Sequence, residues 1–251
     1  MKRTKTIMLM VVVMVLGTAS IAQADPTTFF GQDAGQGEGV RLATHPNADA
    51  ARNNFTSNLS GVGTESFETF PNGTSTPLIL VFQGAGTATL SGSGSVSNVP
   101  SGTNGFGRYP ITGNQFFEVS GQFVIDFSSP VAAFGLYATD IGDFNGQLTL
   151  TLLRTDNTTF TLTVPADINV SGGGVLYFGL IDTANPFTRI TFGNTAGGVD
   201  VFGFDDMTVG SVAQVQPVPE PATMFLLGTG LAGIAMKARR RRKAGRSSAE
   251  S

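Results

Sequence analysis

The side chains that nucleophilic or acid–base catalysis requires are sparse in this chain. There is one histidine, His45, beside Pro46, and there is no cysteine. A Ser-His-Asp triad would have to use His45, and no Gly-x-Ser-x-Gly elbow accompanies it. A histidine-ligated zinc site lacks partners, and thiol chemistry is excluded outright. Glu65, Glu68 and Glu118 are the carboxylates from which a glycosidase pair would be drawn. On one strand, however, Glu65 and Glu68, three apart, would face opposite ways. Gly228-Thr-Gly-Leu-Ala-Gly233 has the spacing of a dinucleotide loop. No strand precedes it and no acidic residue follows at the required distance, so its small residues are read as permitting close helix approach. The chain is therefore expected not to be an enzyme.

Charge divides the chain into unlike parts. The formal net charge is −3, but ten of the fifteen Lys and Arg residues lie at the two ends. Between Asp25 and Glu220 there are five arginines, no lysine and seventeen acidic residues, a formal charge of −12. Such a body repels phosphate backbones, which argues against nucleic-acid binding. Without cysteine, a secreted body must hold together by its own core. The twenty Phe, against three Tyr and no Trp, favour aromatic packing over an aromatic binding face.

The elements that would position any site are short strands. Phe123, Ile125 and Phe127 alternate with Gln122, Val124 and Asp126, and Leu148, Leu150 and Leu152 alternate with polar neighbours. Phe160, Leu162 and Val164 alternate with threonines. Period-two stretches are predicted at 64–70, 78–82, 86–91, 116–119, 122–127, 131–139, 147–153, 159–164, 175–181, 187–192 and 201–209. Arg154–Thr158 is a hairpin turn, and 91–95 and 99–107 are loops. No long helical pattern occurs between Asp25 and Glu220. The expected fold is all-β, a two-layer antiparallel β-sandwich of jelly-roll type. Residues 25–61 form an irregular lead-in with one or two short strands, 62–209 the sandwich and 210–218 a linker.

The two ends are addresses. Met1–Ala24 has a basic start (Lys2, Arg3, Lys5), an apolar run from Ile7 to Leu16 and the small residues Ala22 and Ala24 before Asp25. That order predicts a signal peptide cut by signal peptidase after Ala24. At the other end, Pro219-Glu220-Pro221 precedes the apolar run Met224–Met236, and Arg239, Arg240, Arg241, Arg242 and Lys243 follow. A hydrophobic helix over 222–238 ends in a stop-transfer cluster that the positive-inside rule keeps cytoplasmic, and 244–251 is the tail.

This three-part order over 219–243 resembles the PEP-CTERM sorting signal of Gram-negative, exopolysaccharide-producing bacteria. The resemblance implies an exosortase-type membrane protease as partner, a transient inner-membrane intermediate with its body in the periplasm, and delivery to the cell surface or biofilm matrix. Prolines flanking Glu220 keep the backbone extended and open to a protease. The body resembles secreted jelly-roll, lectin-like domains through Phe134–Asp140 and the closing stretch Phe202–Val209. That likeness implies a structural calcium as the one possible cofactor, with Asp140, Asp143, Asp205 and Asp206 as its oxygen ligands. Asp205 and Asp206, adjacent on a strand, are expected to face opposite ways. The function implied is a structural or interaction role in the exopolysaccharide matrix. A lectin-like carbohydrate-binding module is the alternative, and a secreted hydrolase a second one.

Overall fold

Strands that alternate apolar and polar side chains stack in two layers, and long phenylalanines fill the space between them. The computed structural model describes residues 25–142, 145–168, 172–196 and 200–216, together with Thr229. The expected signal peptide, Asp143, the Pro219-Glu220-Pro221 motif, the apolar run apart from Thr229 and the basic cluster lie outside the described residues. The chain divides into two units, Met1–Val215 and Gln216–Ser251. Among the described residues no helix is long and apolar enough to cross a membrane.

The first unit contains β1 (Thr27–Asp33), α1 (Pro46–Thr56), β2 (Gly63–Glu65), β3 (Leu78–Phe82), β4 (Gly86–Asn98) and β5 (Gln115–Val131). It continues with β6 (Ala133–Thr139), β7 (Leu148–Arg154), β8 (Thr159–Thr163), β9 (Val175–Ile181), β10 (Phe187–Asn194) and β11 (Phe202–Gly210). The strands hydrogen-bond in the order β1-β9-β6-β11-β5-β10-β7-β8. In addition β4 joins β5, β3 joins β4 and β2 joins β11. All pairings are antiparallel. The result is a curled antiparallel β-sandwich.

The curl is made by β5. Its first part, Phe117–Val119, pairs with β11, whereas its later part, Phe123–Val131, pairs with β10. One strand thus serves both layers. The partner strand β4 bends with it through a bulge between Gly92 and Gly94. Gly92 has φ +108, and a Cβ there would run into the Gln122 carbonyl, so only glycine fits. The stretch 91–95, expected as a loop, is therefore strand, and the two strands expected at 116–127 are one.

Phenylalanines bridge the layers. Phe204 of β11 meets Phe123 of β5 at 5.8 Å and Phe192 of β10 at 6.2 Å between ring centroids. Phe134 of β6 meets Phe127 and Phe192 at 6.5 and 6.3 Å. These edge-on arrangements suit the ring quadrupole. The strand expected over 64–70 stops at Glu65. Phe67 then turns with φ 60 to drop its ring into this core against Phe117 and Phe204.

The clearest departure from the sequence reading is α1, in the stretch expected to be irregular. Pro46 opens it. Its free N–H groups at Asn47 and Ala48 donate to the Asp33 carboxylate of β1 at 3.1 and 2.9 Å. Ala48, Ala51 and Phe55 form its buried stripe. Gly135 and Gly179, directly paired on β6 and β9, leave room for the Phe55 ring; a Cβ on either would sit within 2.9 Å of it. Covered by α1 outside and the phenylalanine core inside, β6 and β9 are buried on both faces. Their side chains accordingly lose the polar alternation on which strand recognition depends. After β11, the expected linker begins as a short turn, Val212–Gln214, whose Gln214 side chain donates to the Gly61 and Gln83 carbonyls.

Candidate functional site

Polar chemistry gathers on the outer face of β6, β9 and β11, beside α1. Tyr137 and Tyr177 are direct cross-strand partners with ring centroids 4.9 Å apart. The Tyr137 hydroxyl donates to Asp49 Oδ1 at 2.6 Å, and the same oxygen lies 2.8 Å from His45 Nδ1. His45 stands at the N-cap of α1 and Asp49 one turn on, which makes them neighbours on the helix. Burial first, then the bond to Asp49, pushes the Tyr137 phenol well above the usual tyrosine range. Tyr177 is fully buried, and its hydroxyl lies over Gly135 with no hydrogen-bond partner among the described residues.

The loop before β5 closes this face, and β11 holds it with two carboxylates. Asp205 Oδ2 accepts from the Ile111 and Thr112 N–H groups at 2.7 and 3.1 Å, and Asp206 Oδ1 accepts from the Thr112 hydroxyl at 2.8 Å. The two side chains were expected to face apart. The β11–β6 register shifts between Asp205 and Thr208, and Asp206 takes φ 46, which turns both carboxylates onto the same loop. Burial, then the charge of Asp206, raises Asp205 well above the carboxylate range; burial likewise raises Asp206.

Where this loop meets the segment before α1 there is a cavity of about 260 Å³ lined by Arg41, Leu42, Ala43, His45, Tyr109, Pro110 and Ile111. Tyr109 is its fixed wall, accepting from the Leu42 N–H at 3.1 Å and donating to the Gly173 carbonyl at 3.0 Å. The Arg41 guanidinium stacks over the Tyr109 ring at 5.4 Å. A shallower cavity of about 460 Å³ lies between β1 and α1, with Gln32, Asn47, Asn54 and Asp167 in its lining.

Three other arginines of the body are paired with carboxylates. Arg108 pairs with Asp140 at 3.2 Å, and its Nε is 3.6 Å from Glu118. Arg154 pairs with Asp182 at 3.1 Å, and Arg189 with Asp126 at 2.6 Å. Arg52, on α1, donates to Asn53, and its charge partly offsets the burial that raises Asp206.

Of the expected calcium ligands, the structure brings Asp205 and Asp206 together on the loop and places Asp140 elsewhere, on Arg108 and the Gly173 N–H. Asp143 is outside the described residues, among which no three metal-ligating side chains converge. The glutamates are tied down separately. Glu65 accepts from the Phe67 N–H, Glu68 from the Asn114 and Gln115 N–H groups, and Glu118 from Ser97 and Asn104. Asp25 is exposed just before β1. Sequence reasoning set His45 aside for want of partners. The signals it passed over were Asp49 four residues on and Arg41 four residues before.

No curated protein matches this chain. Among solved structures it is similar to a xylan-binding domain from CBM 22 (13% identity, 62% of this chain and 98% of that one, TM-score 0.38). It is also similar to the CBM22-1 xylan-binding domain of Paenibacillus barcinonensis Xyn10C (14%, 62% and 96%, TM-score 0.37). A third is the K2 cleaved adhesin domain of Lys-gingipain (11%, 59% and 97%, TM-score 0.35). At the C-terminus the finding is specific: residues 217–242 match the PEP-CTERM protein-sorting motif, so the chain carries the sorting signal of an exported protein.

Proposed function

We propose that this protein is a cell-surface or exopolysaccharide-matrix component with a structural or interaction role, delivered by its C-terminal signal. The observation that carries this reading is the PEP-CTERM match over 217–242. In this scheme signal peptidase cuts after Ala24 and the apolar run holds the chain in the inner membrane, body outward. The Arg239–Lys243 cluster stops transfer. An exosortase then cuts near Pro219-Glu220-Pro221. The character of the body supports a life outside the cell: an acidic, cysteine-free sandwich stabilised by its own aromatic core. Mass spectrometry of the surface-extracted protein tests the scheme. The expected form starts at Asp25 and ends close to Pro221; a form retaining the Arg239–Lys243 cluster would contradict it.

A second reading makes the body a lectin-like module. The Arg41–His45 cavity favours it, because it offers a polar, sugar-sized recess beside a rigid wall. Aromatic stacking would contribute little, since all three tyrosines are buried and Phe106, 61% exposed, already lies under the Arg108 guanidinium. Glu65, Glu68 and Glu118, each held by donors of the chain itself, support binding over hydrolysis. A glycan array probed with the purified full chain tests this reading, and silence across neutral and acidic glycans would remove it.

A further inference from the structure

The cavity between the α1 entry and the 109–112 loop has an electrostatic feature that the body's composition makes rare. In a stretch with a formal charge of −12, three of the five arginines are paired with carboxylates. Among the described residues Arg41 and Arg52 make no ion pair; Arg52 donates to Asn53, whereas the Arg41 guanidinium is held in place over the Tyr109 ring. Tyr109 is in turn fixed by bonds to Leu42 and Gly173. Beside it, the His45 ring is oriented by its Nδ1–H, which donates to Asp49 and leaves Nε2 as an acceptor for a ligand hydroxyl. In one recess, the pre-positioned cation is the donor that a carboxylate needs, and the oriented imidazole supplies an acceptor for a neighbouring hydroxyl. Leu42, Pro110 and Ile111 supply C–H surface on the remaining walls. At about 260 Å³ the recess is below the volume of drug-sized pockets and suits a single ring.

We propose that this cavity binds the carboxylate of an acidic sugar unit, with Arg41 holding the carboxylate, His45 Nε2 accepting from a ring hydroxyl, and Leu42, Pro110 and Ile111 covering the ring. The proposal rests on the module reading above and narrows it to uronate-type glycans. An acidic peptide would satisfy Arg41 as well, but its side-chain carboxylate brings no ring to fill the apolar walls.

Calorimetric titration of the purified full chain with glucuronate, with glucose as its neutral counterpart and with hexaglutamate separates these cases. Glucuronate is expected to bind at least about tenfold more tightly than glucose, the share of one charge-assisted contact. Arg41→Ala is expected to weaken glucuronate by about tenfold or more, and His45→Gln by several-fold. Arg189→Ala, on the sheet face away from the cavity lining, leaves binding unchanged. Arg41→Lys, which keeps the charge but loses the planar stack, guards against misfolding and retains part of the affinity. Equal binding of glucuronate and glucose, an Arg41→Ala variant that binds like the parent, no binding of glucuronate, or hexaglutamate binding as tightly would each overturn the proposal. Neutral glycans that bind regardless of Arg41 would overturn this site and leave the module reading standing.

Discussion

Tyr137 and Tyr177 face each other across β6 and β9, and removing the hydroxyl from each is expected to change stability in opposite directions. Tyr177 is fully buried and its hydroxyl has no hydrogen-bond partner among the described residues. A buried hydroxyl without a partner costs about 1–3 kcal/mol, so Tyr177→Phe should stabilise the fold by about 1–2 kcal/mol. The ring stays, and its contacts with Phe55 and Tyr137 are kept. The Tyr137 hydroxyl instead donates to Asp49 at 2.6 Å. Bonds to charged groups contribute about 1.5–3 kcal/mol, but the Asp49 side chain is 46% exposed, which reduces the loss in Tyr137→Phe to about 1 kcal/mol. For a body of this size, each kcal/mol moves Tm by about 2–4 °C. Urea unfolding and calorimetry of the two variants and their double mutant give the test. The expected order of midpoints is Tyr177→Phe above the parent and Tyr137→Phe below it. A Tyr177→Phe variant less stable than the parent by about 1 kcal/mol or more would refute the reasoning, because it would mean that the hydroxyl is satisfied.

Asp182→Ala strands the Arg154 guanidinium, which is 6% exposed, and should cost about 3–5 kcal/mol by urea unfolding; a loss under about 1 kcal/mol would contradict the buried pair. Gly92→Ala forces a Cβ toward the Gln122 carbonyl at φ +108 and should cost more than about 1 kcal/mol. Gly39→Ala, in open space, should stay within about 0.5 kcal/mol, and equal effects would remove the steric account of the bulge. Stability should also fall as pH rises. Asp205, Asp206 and Glu65 have folded pKa values raised by burial, so between the ordinary carboxylate range and those raised values the native state binds more protons than the unfolded chain. The stabilisation is complete below that window and lost as pH climbs through it, giving a urea midpoint that falls as pH rises above the ordinary carboxylate range. Asp156, lowered by its bonds to Thr158, opposes this from an exposed hairpin. Asp205→Asn should flatten the slope, and a midpoint that rises with pH in the parent would contradict the assignment.

Alternation made most strands legible. Leu148, Leu150 and Leu152 of β7 and Phe123, Ile125 and Phe127 of β5 are buried as the alternation placed them, and the Arg154–Thr158 turn closes with an Arg154 N–H to Thr158 carbonyl bond. Pattern failed where one residue serves tertiary structure against its local context. Gly92 and Gly94 read as loop glycines, yet they bend a continuous strand around the sandwich edge. The helix was hidden because its apolar stripe is only Ala48, Ala51 and Phe55, and because its N-terminal N–H groups are met by Asp33, thirteen positions before Pro46 and on β1. The cavity was hidden for a related reason. Arg41, His45 and Tyr109 acquire meaning only when the loop before β5 is brought over the α1 entry by Asp205 and Asp206, and the bulge that turns those carboxylates the same way leaves no mark in a two-residue period.

The address at the C-terminus is the most direct point of test, since the sorting motif carries the functional reading. Pro219, Glu220 and Pro221 are replaced together by alanine, and the chain is followed by cell fractionation and intact mass in its native host. The expected result is a full-length species retained in the inner membrane with its basic cluster still attached. Processing to the same mature mass and release to the surface at the parental rate would contradict sorting through this signal.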